Sequence, residues 1–194
     1  MRFEIAGGIA SGKTTLAKLL GLELENLSLE DFRSNPFWAK FYRDPKRYAF
    51  ETEVTFHLQH YSQFLDAECS GRRTVCDTSL LLDLAYADVN LTGSKYETFL
   101  RVYQEVQASL QPPLAIVFLQ CSPEEELRRV IERARSEEAS VPLEYLSALN
   151  QALKRRVDEV RDRIKVIELD SEQLDFANID SEKKKAKEVV LQAI

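Results

Sequence analysis

Residues 7–14 read GGIASGKT, which satisfies G-x-x-x-x-G-K-[ST] in full. Each residue type has a chemical use. Gly7 and Gly12 let the chain turn tightly. The backbone N–H groups of Gly8, Ile9, Ala10 and Ser11 can then converge on an anion. Lys13 places a point charge on the outer phosphates of a nucleotide. The hydroxyl of Thr14 can join a magnesium ion, and Thr15 carries the contact into the first helical turn. Together these are the parts of a site for ATP and Mg2+. The alternative, a chance glycine-rich turn, is disfavoured by the context, because a strand-like run precedes the motif and a helical one follows.

Three further groups could complete a phosphotransfer site. Glu30 lies at the end of a short strand-like segment, where a carboxylate could take a proton from an acceptor hydroxyl. The plainer reading is that Glu30 or Asp31 caps the next turn, and spacing alone leaves the two even. Arg128, Arg129, Arg133 and Arg135 form a basic cluster. Arg129 and Arg133 share a helix face and, with Arg135, could close over transferring phosphates. Ordinary pairing with Glu125, Glu126 and Glu132 competes, most strongly for Arg128. Glu53, His57 and His60 recur at i, i+4, i+7, which suits the polar wall of a pocket better than a metal site. His57 alone reads as structural or solvated.

The elements that must position these groups alternate along the chain. Strands are expected at 2–6, 26–29, 73–77, 114–121 and 165–169. Helices are expected at 15–20, 44–69, 143–163 and 181–194. Another starts from a Ser94/Glu97 capping box and stops at Pro112-Pro113. Ser122, Pro123 and Glu125 mark one more start. In the 44–69 helix, Phe50, Val54, Leu58, Tyr61 and Leu65 recur at helical spacing and are expected to face the core. LAIVFLQC at 114–121 is the continuous apolar run of a strand buried on both faces. The pattern predicts a P-loop NTPase-like α/β three-layer sandwich: a five-stranded parallel sheet flanked by helices, ligands at the carboxyl ends of its strands, in one domain over 1–194.

Composition sets outer bounds. The 194 residues carry a net charge of -6, which argues against a broad nucleic-acid surface. Cys69, Cys76 and Cys121 lack a CxxC pattern and read as free thiols, two of them buried hydrophobes. No leader segment and no membrane-length apolar run is evident, so a cytoplasmic enzyme is expected. No Asn-Lys-x-Asp element points to a guanine-nucleotide switch.

Several stretches resemble the deoxynucleoside kinases, which phosphorylate deoxycytidine, deoxyguanosine or deoxyadenosine. NPFWAKFYRDPKRYAFETEV (35–54) resembles their acceptor-site helices, and CDTSLLLD (76–83) their D/E-R-S motif with the aspartate after it. LRRVIERARSEEASVPLEYLSAL (127–149) resembles their lid and the helix beyond. VIELDSEQLDF (166–176) resembles their last strand and adenine-side loop. The resemblance implies that Glu30 is the base on a 5′-hydroxyl and that Tyr42 and Glu138 hold the 3′-hydroxyl. It implies lid arginines at Arg129, Arg133 and Arg135 within roughly 129–140. Asp77 falls in the D-R-S motif, and Asp83 would face the base. A homodimer is implied as well.

The departures fall in the acceptor pocket. Glu30 is followed by Asp31 where the family usually has proline. The family's base-reading glutamine matches Glu53, which could pair with adjacent donor and acceptor groups only when protonated. The motif arginine matches Thr78, and another family arginine matches His60. A protonated His60 beside Glu53 would restore part of the missing charge. The leading expectation is an ATP-dependent kinase acting on the 5′-hydroxyl of a deoxynucleoside. A kinase of another small alcohol or modified nucleoside, and an ATP-binding sensor without turnover, stay open as alternatives.

Overall fold

The computed structural model describes residues 1–193; the last residue of the helix expected at 181–194 lies outside them. Five parallel strands form one sheet in the order β2-β3-β1-β4-β5. They are β1 (Arg2–Gly7), β2 (Asn26–Ser28), β3 (Thr74–Cys76), β4 (Ala115–Gln120) and β5 (Val166–Asp170). β1 is central and wholly buried, between β3 and β4. β1 is not uniformly apolar: its buried Arg2 and Glu4 pair at 2.7 Å, which compensates their burial, while Phe3, Ile5 and Ala6 join the core.

Helices cover both faces. On one side α1 (Lys13–Gly21) and α8 (Asp180–Ala193) pack Leu16, Leu20, Ala186 and Val190 against Ile5, Val75 and Val117. On the other, α4 (Leu80–Asn90) and α7 (Leu143–Asp158) pack Leu82, Ala85, Leu149 and Leu153 against Ile116 and Phe118. A third apolar cluster joins α4 to α3 (Pro45–Cys69) and α5 (Gly93–Ser109) through Phe64, Leu84, Phe99 and Tyr103. The short helices α2 (Trp38–Arg43) and α6 (Pro123–Arg133) complete the set. The α/β class and the five-stranded parallel sheet agree with the sequence.

Several local expectations are corrected. Leu80–Asn90 folds as α4, capped by the Ser79 side chain on Leu81 N, although no helix was expected there. The Ser94/Glu97 box does not form: α5 starts after Thr92, with no side-chain cap. The Ser122 cap does form, accepting from Glu125 N at 3.2 Å. α7 ends at Asp158 rather than Arg163.

α3 buries a second face beside the expected one. Phe50, Val54, Tyr61 and Leu65 pack half-buried against the third cluster, as expected, while Leu58 is 48% exposed; the fully buried residues of α3 include Glu53, His57 and His60. The polar stripe faces inward because it lines a cavity and finds partners on α4, so its burial is compensated.

Candidate active site

The phosphate loop begins where β1 ends. Gly12 takes the left-handed conformation, φ 101°, which a side chain would strain. Ala10 and Ala134 also have positive φ, 60° and 51°. One lies in the loop and the other in the turn carrying Arg133 and Arg135, so strain sits where groups must be aimed. Lys13 Nζ donates to Gly7 O at 3.0 Å and Gly8 O at 2.7 Å, holding the loop closed on itself. Burial lowers the Lys13 pKa, against the opposing carboxylates of Glu30, Glu126 and Asp77.

Asp77, just past β3, ties the loop to β2. Its Oδ2 accepts from Thr14 Oγ1 at 2.8 Å and its Oδ1 from Glu30 N at 2.6 Å. Burial pushes its carboxyl up; the bonds from Glu30 N and Thr14 oppose this. Thr14 and Asp77 together present hard oxygens suited to a magnesium ion.

Beside the loop opens a cavity of about 450 Å³, walled by Trp38, Phe41, Tyr42, Phe56 and Tyr86. That size and aromatic lining suit a small, flat, polar-edged ligand. Glu30 lies between loop and cavity. Its Oε1 is 3.1 Å from His60 Nε2, while His60 Nδ1 is 2.7 Å from Asp83 Oδ1. Asp83 Oδ2 is bonded to His57 Nδ1 at 2.8 Å. Burial opposes charge on His60, but Asp83 and then Glu30 outweigh it and raise its pKa to about 10. Burial likewise opposes ionisation of Asp83, and His60 and His57 overcome it, leaving its pKa below the usual value. The site therefore holds an imidazolium between two carboxylates.

Glu53 lines the same cavity and accepts from Asn90 Nδ2 at 2.8 Å. Asn90 also donates to Tyr145 Oη at 3.0 Å. Burial raises the Glu53 pKa to about 8, against the bond from Asn90. At neutral pH Glu53 is mostly a neutral acid, able to donate as well as accept.

Above the cavity, Glu138 is nearly buried and is clamped by Arg133, whose Nε is 2.8 Å away, and by Arg135 at 3.3 Å. Arg135 also lies over the Phe32 ring, 4.2 Å from its centroid. Arg129 reaches the loop after β5, donating to Ser171 O and Oγ. Arg128 pairs outward with Glu125 and Glu132, the bland outcome expected of it.

Most expected site residues thus converge on one cavity: loop residues 9–15, Glu30, Tyr42, Glu53, His60, Asp83, Glu138 and the three arginines. Two placements differ from expectation and a third goes beyond it. His60 bonds to Glu30 and Asp83, not Glu53, because its two ring nitrogens are taken by Glu30, just past β2, and by Asp83 on α4. Asp83 lines the cavity, as expected, but each of its oxygens also meets a histidine, so it orients His57 and His60 as well. Thr78 is buried off the cavity wall, and its hydroxyl has no hydrogen-bond partner among the described residues. The stripe Glu53, His57, His60 builds no metal site, since both histidines turn to Asp83 while Glu53 turns to Asn90. Asn90, Phe56 and Trp38 were missed. Only the aromatic density of 37–56 signalled the latter two.

A parallel sheet in this order, a phosphate loop after its central strand and a carboxylate facing an enclosed aromatic cavity define a P-loop phosphotransferase. The profile of the deoxynucleoside kinase family matches residues 3–194. A deoxyadenosine kinase of Dictyostelium discoideum is 32% identical over 172 residues, spanning 85% of this chain and 70% of the relative. A deoxyguanosine kinase of Bacillus subtilis (strain 168) is 27% identical, spanning 89% of this chain and 87% of its own length. Among solved structures, a deoxyadenosine kinase from M. mycoides with the products dCMP and a flexible dCDP superposes with a TM-score of 0.85. The identity is 22%, over 99% of this chain and 97% of that one. The chain belongs to the deoxynucleoside kinase family and is a phosphotransferase. No helix among the described residues is long and apolar enough to cross a membrane.

Proposed function

We propose that this protein transfers the γ-phosphate of ATP to the 5′-hydroxyl of a deoxynucleoside, in cytoplasmic nucleotide salvage. The observation that carries the reading is the position of Glu30. Its backbone is tied to the loop through Asp77 and its carboxylate is tied to the cavity through His60. A base so placed can take a proton from an alcohol held in the cavity while the donor phosphates lie on the loop.

The loop amides and Lys13 bind the donor. Thr14, with Asp77 behind it, would hold magnesium, which supplies charge neutralisation on the phosphates. Glu30 accepts the acceptor's proton. Arg133 and Arg135 leave Glu138 in part to meet charge that develops during transfer, and Arg129 secures the nucleotide side. Residues 129–140 act as the lid over a chain that works as one unit. Tyr42 and Glu138 hold the sugar, with Glu53 and the aromatic walls around the base. In this pocket His60 supplies the positive charge that the family motif places at the position of Thr78. The outer side of α3, where Leu58 is 48% exposed, serves as a homodimer face.

The test is ATP consumption with magnesium against deoxynucleosides, ribonucleosides and small alcohols, with a no-acceptor control. Turnover on a deoxynucleoside supports the reading. Turnover only on another alcohol replaces the substrate class. ATP binding without turnover on any acceptor replaces the activity with a sensing role.

A further inference from the structure

Three acids occupy the first turn of α6, and only Glu126 among them is fully buried. It points at the back of the phosphate loop. A methyl group added at Gly8 would lie 2.0 Å from Glu126 Oε1 and 2.4 Å from Asn150 Oδ1. The Glu126 carboxyl thus fills the volume that a side chain at position 8 would take, directly against the loop backbone.

Neither carboxyl oxygen has a hydrogen-bond partner among the described residues. Asn150 stands alongside, but its amide donates to Cys121 O at 3.1 Å. Lys13 is the nearest cation of the loop, and its ammonium is directed to Gly7 O and Gly8 O. An ionised carboxylate in that setting would be buried without a bonded counter-ion, which is costly. A neutral acid avoids that cost.

We infer that Glu126 makes nucleoside triphosphate binding proton-linked, the phosphate loop accepting the anion only while the Glu126 carboxyl is neutral. The inference rests on the phosphate-loop part of the proposed function. A triphosphate brings several negative charges to the loop, and it draws Lys13 away from the carbonyls towards the phosphates. Both changes disfavour a carboxylate behind Gly8, so a bound nucleotide raises its proton affinity further.

The groups facing Glu126 set where this happens. Burial raises its pKa to about 8, against Lys13 from α1, Asn150 from α7 and Arg129 from α6 itself, while Glu172, beyond β5, adds to the rise. Below that pH the site is already neutral. Above it, each binding event takes up one proton.

Calorimetric titration of the full chain with MgATP from pH 7 to 9, in two buffers of different ionisation heat, reads this directly. MgATP itself does not titrate over that range. Affinity should fall about tenfold across it, by linkage. Proton uptake should rise from near zero at pH 7 to near one at pH 9. The near-isosteric Glu126→Gln should flatten both curves. The uptake measured on the wild-type chain needs no variant to fold. No uptake at pH 9 overturns the inference. So does a slope fully kept by Glu126→Gln, which would belong to Lys13. No MgATP binding at any pH overturns the phosphate-loop reading too, whereas binding of unchanging affinity overturns the inference alone.

Discussion

His60 Nε2 lies 3.1 Å from Glu30 Oε1, and its other ring nitrogen lies 2.7 Å from Asp83 Oδ1. The carboxylate proposed as base therefore has a charged imidazole at its back, itself anchored by a buried carboxylate. His60→Asn should keep the volume roughly but lose the charge, lowering kcat about 10- to 100-fold, the scale of a lost charged partner. Because the His60 pKa is raised to about 10, its charge does not change between acidic and neutral pH. Its stabilising contribution is full below the unfolded histidine value, about 6.5. It is lost as pH rises through about 10. Melting temperatures from pH 6 to 10.5 should decline more steeply in the wild type than in His60→Asn.

Glu30→Gln should lower kcat about 10²- to 10⁴-fold, the usual range for a general base. The affinity for ATP should stay within about threefold, since the loop contacts persist. Equal losses in both, measured by steady-state rates and nucleotide titration, would remove Glu30 from the role of base.

Glu53 is proposed to meet the nucleobase as a neutral carboxylic acid. With its pKa raised to about 8, Glu53→Gln should leave the acceptor KM little changed at pH 7. Above pH 8 the wild-type side chain ionises, loses its donor and charges the cavity, so its KM should rise while that of Glu53→Gln stays level. The raised pKa also sets a sign for stability. The wild-type fold is penalised increasingly as pH climbs from the unfolded carboxyl value, about 4.3, to about 8. Glu53→Gln should therefore melt higher than the wild type at pH 8, with the difference shrinking below pH 5.

Gly8→Ala places a methyl group 2.0 Å from Glu126 Oε1. Overpacking of this kind costs about 1–3 kcal/mol. Adding Glu126→Ala to Gly8→Ala should recover part of the loss, because the two side chains compete for one volume. Denaturant unfolding of the two single variants and the double variant checks the coupling.

Leu58 is 48% exposed on the outer face of α3, amid half-buried apolar residues. If that outer side of α3 is a subunit face, Leu58→Glu should shift the sedimentation profile towards monomer while the melting temperature of the monomer is kept. An unchanged profile would place any dimer contact elsewhere.

The phosphate loop was legible from sequence because its chemistry is local. Eight consecutive residues, a preceding strand and a following helix are enough to aim the N–H groups, the lysine and the hydroxyl. The sheet was legible because burial on both faces leaves a strand such as Ala115–Gln120 no polar alternation. The site residues were legible mainly through their order along a familiar pattern, not through their own spacing.

α3 shows where this stopped. Its apolar stripe marked one packed face, Leu58 apart, but not the second, since periodicity reports where hydrophobic residues lie and assumes that polar ones seek water. Glu53, His57 and His60 are buried because α4 supplies Asp83 and Asn90 to meet them, and nothing within α3 announces partners more than twenty residues away. α4 itself was missed: its Leu-rich start reads equally well as strand or helix until a core decides. Local sequence determined the anion cradle, the strand set and the list of chemically able residues. Only the tertiary structure decided which carboxylate meets which histidine, and whether Glu53 and Glu126 carry charge. Both depend on burial and on pair distances, which are properties of packed elements rather than of any one segment.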